Sequence, residues 1–409
     1  MGSATVLAQR IANLGTENAF AVSLAAADWS SRGNRVFPFH LGDLNFETPA
    51  NVAEALSKAV AEGKTTYCPG AGILPLREAL AENVGALRGM KFSPDQVVIQ
   101  PGGKPVITKF IQAMVNPGEE VLYPTPGFPI YESQIEYYGC TPKPYRYVPT
   151  DTGFAVDIDF LRAQITPNTR ALIVNDLHNP LGTEATPQER AAIAELAIEN
   201  NLIVLSDEAY FETRYSGASE SIAALPGMAE RTIILYTFSK KYAMTGWRLG
   251  AAITPPEIAP VFGRLNTNDE SCTAHMVQYA GVAALTGPQE SVTRMMNELR
   301  VRRDAAVDGL LTIPGVSVAR PESTFYLFPD VTDTMKAMGI DDLAVFAEKA
   351  LHNTGMSFCT RRHFGRQQVW ETRNYIRLAY SGINATDIAE GLEGMRAWIV
   401  SEIEARASR

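Results

Sequence analysis

Two hydrophobic rhythms alternate through the middle of the chain. Short runs rich in Val, Ile, Leu and Tyr fall at Gln96 to Gln100, Glu120 to Tyr123, Ala171 to Asn175, Leu202 to Ser206, Thr232 to Thr237 and Leu249 to Ile253, and they predict strands. Being apolar on both faces, such strands belong in a parallel sheet covered by helices. Between them apolar residues recur at helical spacing, which predicts a helix from about Pro105 to Val115 and another from Pro187 to Asn200 with Thr186 as its N-cap. Beyond about Gly287 the pattern changes. A long charged helix is expected over Pro288 to Leu311, strands within Val316 to Pro329, and a last helix behind a Thr386 cap, with Ile388, Leu392, Met395, Ile399 and Ile403 on one face.

This order predicts an α/β chain with a large domain, in which a mostly parallel seven-stranded sheet lies between helices, and a smaller α+β domain built from both termini. The expected divisions are residues 1–48 for an N-terminal segment joining the small domain, 49–290 for the large domain, and 291–409 for a connecting helix and the rest of the small domain. A chain of 409 residues is long enough to bury a cleft between two lobes. Hydrophobic residues make up 46% and charged residues 20%, with no apolar run near the ~18 residues a membrane-spanning helix needs. The amino terminus shows no basic start followed by an apolar stretch, so a cytoplasmic protein is expected. A formal charge of -9 argues against nucleic acid as a partner, and the small basic spot Arg361, Arg362 and His363 reads as a solvated loop. The four cysteines, Cys68, Cys140, Cys272 and Cys359, stand far apart without a CxxC; neither a disulfide framework nor a metal site is expected.

Candidate chemistry sits just after the strand runs, where ligands of open α/β sheets gather. In Thr237-Phe-Ser-Lys-Lys-Tyr-Ala-Met-Thr-Gly-Trp-Arg-Leu-Gly250 a strand runs into a lysine, hydroxyl residues and an arginine. A desolvated lysine near other positive charge is deprotonated often enough to act as a nucleophile. Arg248 with Thr237 and Ser239 suits a phosphate, because guanidinium binds it through two parallel hydrogen bonds. Asp207, in Ser206-Asp-Glu-Ala-Tyr210, ends a buried strand and needs a cationic partner. Gln100-Pro-Gly-Gly-Lys-Pro105 joins a strand to a helix start and leaves backbone N–H groups open to an anion.

The run from Ser239-Lys240 through Met244-Thr-Gly-Trp-Arg-Leu-Gly250 resembles the signature of the fold-type I pyridoxal-phosphate aminotransferases of class I/II. The resemblance extends from about Val36 to Ser381. It implies Lys240 as the lysine that joins the cofactor; Lys241 is the rival, but in the family the lysine directly follows the serine. It further implies Arg248, Thr237 and Ser239 on the phosphate, Asp207 on the pyridine nitrogen, and Tyr210 on the ring's phenolic oxygen. Asn175-Asp-Leu-His-Asn-Pro-Leu-Gly182 resembles the family's Asn-Pro turn, with Leu181 in place of threonine, and makes Asn179 a second donor to that oxygen. Gly102, Gly103 and Lys104 take the phosphate loop by position, and Phe128 the stacking aromatic. Leu41-Gly42 would offer backbone to substrate, and Arg377, in Tyr375-Ile-Arg-Leu-Ala-Tyr-Ser381, would clamp its α-carboxylate. Tyr67 would reach the phosphate of a second subunit, implying a homodimer.

The implied reaction is a two-stage amino transfer between an amino acid and a 2-oxo acid with ping-pong kinetics. Lys104 points to aspartate or glutamate, because one branch of aspartate-using enzymes has a lysine there for the distal carboxylate; Asp269 and Glu270 pull the other way. Same-fold lyases, decarboxylases and synthases remain as alternatives. A nicotinamide dehydrogenase is a distant one, since no GxGxxG opens a helix after the first strand.

Overall fold

The computed structural model describes residues 7–15 and 19–408. Its first helix is α1 (Ala19–Ser31). The large sheet is made of β1 (Val97–Gln100), β2 (Glu120–Thr125), β3 (Thr141–Thr150), β4 (Gly153–Val156), β5 (Thr169–Val174), β6 (Ile203–Asp207), β7 (Thr232–Thr237) and β8 (Gly250–Ile253). Their spatial order is β1-β8-β7-β6-β5-β2-β3-β4. The strands β3, β2, β5, β6 and β7 run parallel in sequence across the sheet, while β8 is antiparallel to both its neighbours.

The sheet therefore carries one strand beyond the expected seven, because β3 turns back on itself through β4 in an antiparallel hairpin. Neither strand shows in the hydrophobic pattern. β3 reads Thr-Pro-Lys-Pro-Tyr-Arg-Tyr-Val-Pro-Thr, and prolines, lacking an N–H, argue against a strand with partners on both sides. Pro142 and Pro144 fall on the stretch that pairs only with β2, since β4 covers β3 from Tyr147 onward.

Helices cover both faces. After β1 comes α2 (Lys104–Met114), after β2 α3 (Ile130–Tyr137), and before β6 α4 (Pro187–Glu199). α4 begins where expected: the Thr186 hydroxyl accepts from the Glu189 N–H at 3.2 Å while Glu189 accepts from the Thr186 N–H at 2.8 Å, a reciprocal cap that satisfies two otherwise orphaned donors. After β8 comes α5 (Ala259–Asp269), and the long charged helix is α6 (Glu290–Leu311).

A second core lies beyond the sheet. It joins Phe37 and Phe39 from the start of the chain to α6 and to α7 (Ala385–Ala407) near the end. Phe37–Pro38 pairs parallel with Met356–Ser357, which ties the two ends of the chain together. A small sheet of β9 (Tyr326–Leu327), β10 (Cys359–Thr360) and β11 (Ile376–Ala379), ordered β9-β11-β10, completes it. Of the strands expected in Val316 to Pro329 only β9 forms, the remainder contributing isolated bridges at Ser317 and Ser323. The cap of α7 also differs from expectation. Asn384, not Thr386, is the N-cap, its side chain accepting from the Asp387 N–H at 2.9 Å; Thr386 lies inside the first turn, where its backbone is already helical. No helix among the described residues is long and apolar enough to cross a membrane.

Beside the end of β6 lies a buried ion pair. Arg88 Nε donates to Glu208 Oε2 at 2.5 Å, with side-chain exposures of 0% and 4%, and its guanidinium lies 3.8 Å from the centre of the Phe211 ring. Glu208 also accepts from the hydroxyls of Ser206 and Ser221. Removing one partner of such a pair strands the other charge in the interior, at a cost of about 3–5 kcal/mol. Arg88→Met is therefore expected to lower the unfolding free energy of the cofactor-free protein, measured in denaturant melts, by that order, and the double change with Glu208→Gln to recover most of it.

Candidate active site

The carboxyl ends of β1, β2, β5, β6 and β7 open onto one cleft of about 310 Å³ between the sheet and the second core. It is lined by Gly42, Gly103, Lys104, Phe128, Asn179, Asp207, Tyr210, Thr237, Ser239, Lys240, Arg248 and Arg377, all singled out from the sequence. This convergence follows from topology: parallel neighbours present all their carboxyl ends at one edge, so residues far apart in the chain meet there.

Lys240 follows β7 and reaches into the cleft, where its Nζ donates to the Gly42 carbonyl at 2.9 Å. Lys241 pairs with Glu212, so of the two lysines Lys240 is the one that lines the cleft. Gly42 tolerates no side chain, since a Cβ there would lie 2.1 Å from the Tyr326 hydroxyl.

At one end of the cleft the donors suit a phosphate. The Thr237 hydroxyl donates to Ser239 Oγ at 2.9 Å. The Arg248 guanidinium is held by the Thr245 carbonyl at 2.7 Å and the Pro101 carbonyl at 3.4 Å. Gly102 has φ +101°, a backbone conformation that favours glycine, and a Cβ on it would fall 2.2 Å from Arg248 Nη2 and push the guanidinium aside. Gly103 and Lys104 begin α2, and the positive end of that helix's dipole is favourable to an anion. Lys104 Nζ lies 5.6 Å from the centre of the Phe128 ring.

Deeper in, Asp207 ends β6. Its Oδ2 accepts from the Tyr131 hydroxyl at 2.5 Å and its Oδ1 from the Ala209 N–H at 3.2 Å. Burial pushes the Asp207 carboxyl up to about 6, and those two hydrogen bonds hold it down against a larger rise. Tyr210 shares a hydrogen bond of 2.7 Å with the Tyr326 hydroxyl, and burial raises its phenol well above the usual range. Asn175 braces the floor, its amide donating to the Asp207 carbonyl at 2.9 Å and its oxygen accepting from the Asn179 N–H at 3.0 Å.

The far wall carries Arg377 on β11. Its guanidinium donates to Asn179 Oδ1 at 3.2 Å and to the His40 carbonyl at 2.6 Å, and it lies over the rings of Tyr326 and Phe364 at 4.6 and 4.7 Å. Burial pushes the neighbouring His40 imidazole down to about 4, with Arg377 adding to the effect, so it is neutral at neutral pH. The cleft lining holds four cationic side chains, Lys104, Lys240, Arg248 and Arg377, against the carboxylates of Asp43 and Asp207, a balance that suits an anionic occupant.

Sequence reasoning missed Tyr131, Tyr326, Asn175, Ala19 and Phe20, which also line the cleft. Tyr131 stands three positions after Phe128 at the start of α3 and carried a signal, a tyrosine in a run that follows a strand end. Tyr326 sits in an apolar stretch that reads as core, and Ala19 and Phe20 belong to α1, far from any motif. Tyr67 does not reach this cleft within one chain; its ring is 83% exposed. Asp269 and Glu270 also stay out of it, because both face Lys109, Glu270 at 2.5 Å and Asp269 at 4.0 Å. Glu270 is thus paired within the chain, while Asp269 stays half exposed.

The chain resembles known proteins over nearly its whole length. A probable aspartate/prephenate aminotransferase of Aquifex aeolicus is 31% identical over 394 residues, covering 95% of this chain and 98% of that protein. The aspartate aminotransferase of Thermus thermophilus with maleate superposes with a TM-score of 0.88 at 29% identity, covering 96% of this chain and 99% of the other. An alanine aminotransferase of Pyrococcus furiosus gives the same TM-score, 0.88, at 27% identity, covering 97% and 100%. The family profile described as aminotransferase class I and II matches residues 34–394. The chain belongs to the class I and II aminotransferases.

Proposed function

We propose that this aminotransferase joins pyridoxal phosphate through Lys240 and exchanges amino groups between an acidic L-amino acid, aspartate or glutamate, and a 2-oxo acid. One observation carries the reading: an amine, a buried carboxylate and a guanidinium that suits an α-carboxylate, those of Lys240, Asp207 and Arg377, converge on one cleft beside a cradle of phosphate donors. The glycine at position 102, kept small by the Arg248 guanidinium, and the hydroxyls of Thr237 and Ser239 fit the phosphate by the chemistry of their donors. When bound, the cofactor supplies an electron sink that makes the proton on a substrate's α-carbon removable. The relatives named above favour amino transfer over the lyase, decarboxylase and dehydrogenase alternatives.

In this reading Arg377 orients the substrate by its α-carboxylate, with two charge-assisted hydrogen bonds of roughly 1.5–3 kcal/mol each. Asp207 keeps the ring nitrogen protonated; a cation there offsets the burial that drives its own carboxyl up to about 6. Tyr210 and Asn179 donate to the ring oxygen, and Phe128 packs on the ring face. Lys240 Nζ, which lies in the cleft, would accept the proton from the substrate's α-carbon. The apolar walls at Leu41, Ile107 and Tyr326 keep water from that proton. Lys104, exposed at the start of α2, reads the distal carboxylate. The exposed Tyr67 supports a homodimer in which it reaches the partner's phosphate, and four free cysteines suit the cytoplasm. The domain limits of 49–290 for the cofactor lobe and 291–409, with 1–48, for the smaller lobe belong to the same proposal.

Three results test it. Borohydride reduction of the purified protein followed by peptide mapping is expected to place the reduced adduct on Lys240, and Lys240→Ala to abolish turnover; an adduct on another lysine overturns the assignment. Lys104→Ala is expected to raise KM for aspartate and glutamate by roughly 10- to 100-fold, the worth of one charged hydrogen bond, and to leave alanine nearly unchanged; equal losses for all three would discard the carboxylate-reading role.

The third concerns pH. The Asp207 carboxyl in the cofactor-free fold titrates near 6, above its unfolded value of about 3.9. The folded state therefore binds the proton more tightly, and this group's contribution to stability falls as pH rises from about 4 to about 6, then stays constant. Asp207→Asn is expected to stabilise the cofactor-free protein above pH 6 by on the order of 2–3 kcal/mol while abolishing activity, with the advantage vanishing near pH 4 in denaturant melts. An advantage that does not change with pH would refute the assignment.

A further inference from the structure

Lys109 on α2 keeps 2% of its side chain exposed and lies behind the cleft rather than in its lining. Its Nζ donates to Gln100 Oε1 at 3.0 Å, Asn266 Oδ1 at 2.7 Å and Glu270 Oε1 at 2.5 Å. An ammonium has three N–H groups, and this one gives one to the end of β1 and two to α5, at Asn266 and at its C-cap Glu270.

Those acceptors lead to the edge of the site. Gln100 is the last residue of β1 and stands directly before Pro101-Gly102-Gly103; its Nε2 donates to the same Asn266 Oδ1 at 2.8 Å. Asn266, on α5 and fully buried, gives its own amide to the Gly70 carbonyl at 2.7 Å and the Ile99 carbonyl at 2.8 Å. Gly70 follows Tyr67 by three residues and lies so close to α5 that a Cβ would meet Thr267 Oγ1 at 2.7 Å. One buried cation thus pins the strand end that launches the glycine loop, the helix that receives it, and the run that carries Tyr67. Glu270, 24% exposed, offsets the charge, so the ammonium acts by holding geometry and not by attracting the anion across the interior.

We propose that Lys109 is a positioning residue for phosphate: through Gln100 and Asn266 it sets the pitch of the Gly102–Gly103 loop and locks to it the segment ending in Tyr67. The inference rests on the pyridoxal-phosphate reading above. Cofactor-free wild-type protein, Lys109→Met and Glu270→Gln are titrated with pyridoxal phosphate and with pyridoxal, which lacks the phosphate, following quenching of tryptophan fluorescence.

Lys109→Met is expected to weaken pyridoxal phosphate binding at least about tenfold while pyridoxal stays within about twofold of wild type. Glu270→Gln, whose residue is partly exposed and whose change spares the fold, is expected to shift the same ratio in the same direction by about threefold, and it decides the matter if Lys109→Met does not fold. Equal weakening of both ligands, as a merely structural role would give, or wild-type affinity for both, overturns the proposal. A wild-type protein that takes up neither ligand sinks the cofactor reading and this inference with it.

Discussion

The cost of burying a charge governs this site. Asp207 stands at the end of a strand that is covered on both faces, and the interior pushes its carboxyl toward the neutral form. A lone carboxylate there is tolerable only with hydrogen-bond donors aimed at it and a cation close by. Tyr131 and the Ala209 N–H supply the donors, and Asn175 fixes the backbone behind them. Lys240, one strand over, is the nearest positive charge that helps. These few contacts hold the burial of Asp207 to a moderate rise, and they fix where its carboxyl meets the cleft.

The same edge of the sheet explains why so much of the site was legible in the sequence. Strands that are apolar on both faces announce themselves, and the polar residues directly after them mark where their carboxyl ends meet. Asp207, Lys240 and the Gly102–Gly103 turn each follow such a run and stood out by local pattern, whereas Asn179, after a run of the same kind, was reached through the family resemblance. Residues delivered from elsewhere left no such trace. Tyr326 reaches Tyr210 and Gly42 from a two-residue strand of the second core, and its neighbours read as ordinary apolar packing. Likewise β3 hid behind its prolines, because an edge position forgives a missing N–H that a central strand would not. The cap of α7 was misread by two residues, since Asn384 and Thr386 both have side chains fit for an N-cap and only the backbone decides which is used.

Charge in the chain is also read differently once partners are visible. Asp269 and Glu270 read alike in sequence, yet only Glu270 makes a close pair with the Lys109 ammonium. Lys241 looks like a rival nucleophile, yet Glu212 holds it. In each case the ion-pair partner lies more than twenty positions away, which is the kind of information that spacing along a chain does not contain.

The wall formed by Ala19 and Phe20 differs from the others. The reacting groups are rooted in strand ends packed from both sides, whereas Phe20 is 60% exposed on a helix that buries only Ala19 and Ala26. Amino-acid changes at Phe20 meet little resistance from the interior, so this wall of the cleft can be reshaped at small cost in stability where the strand ends behind it cannot.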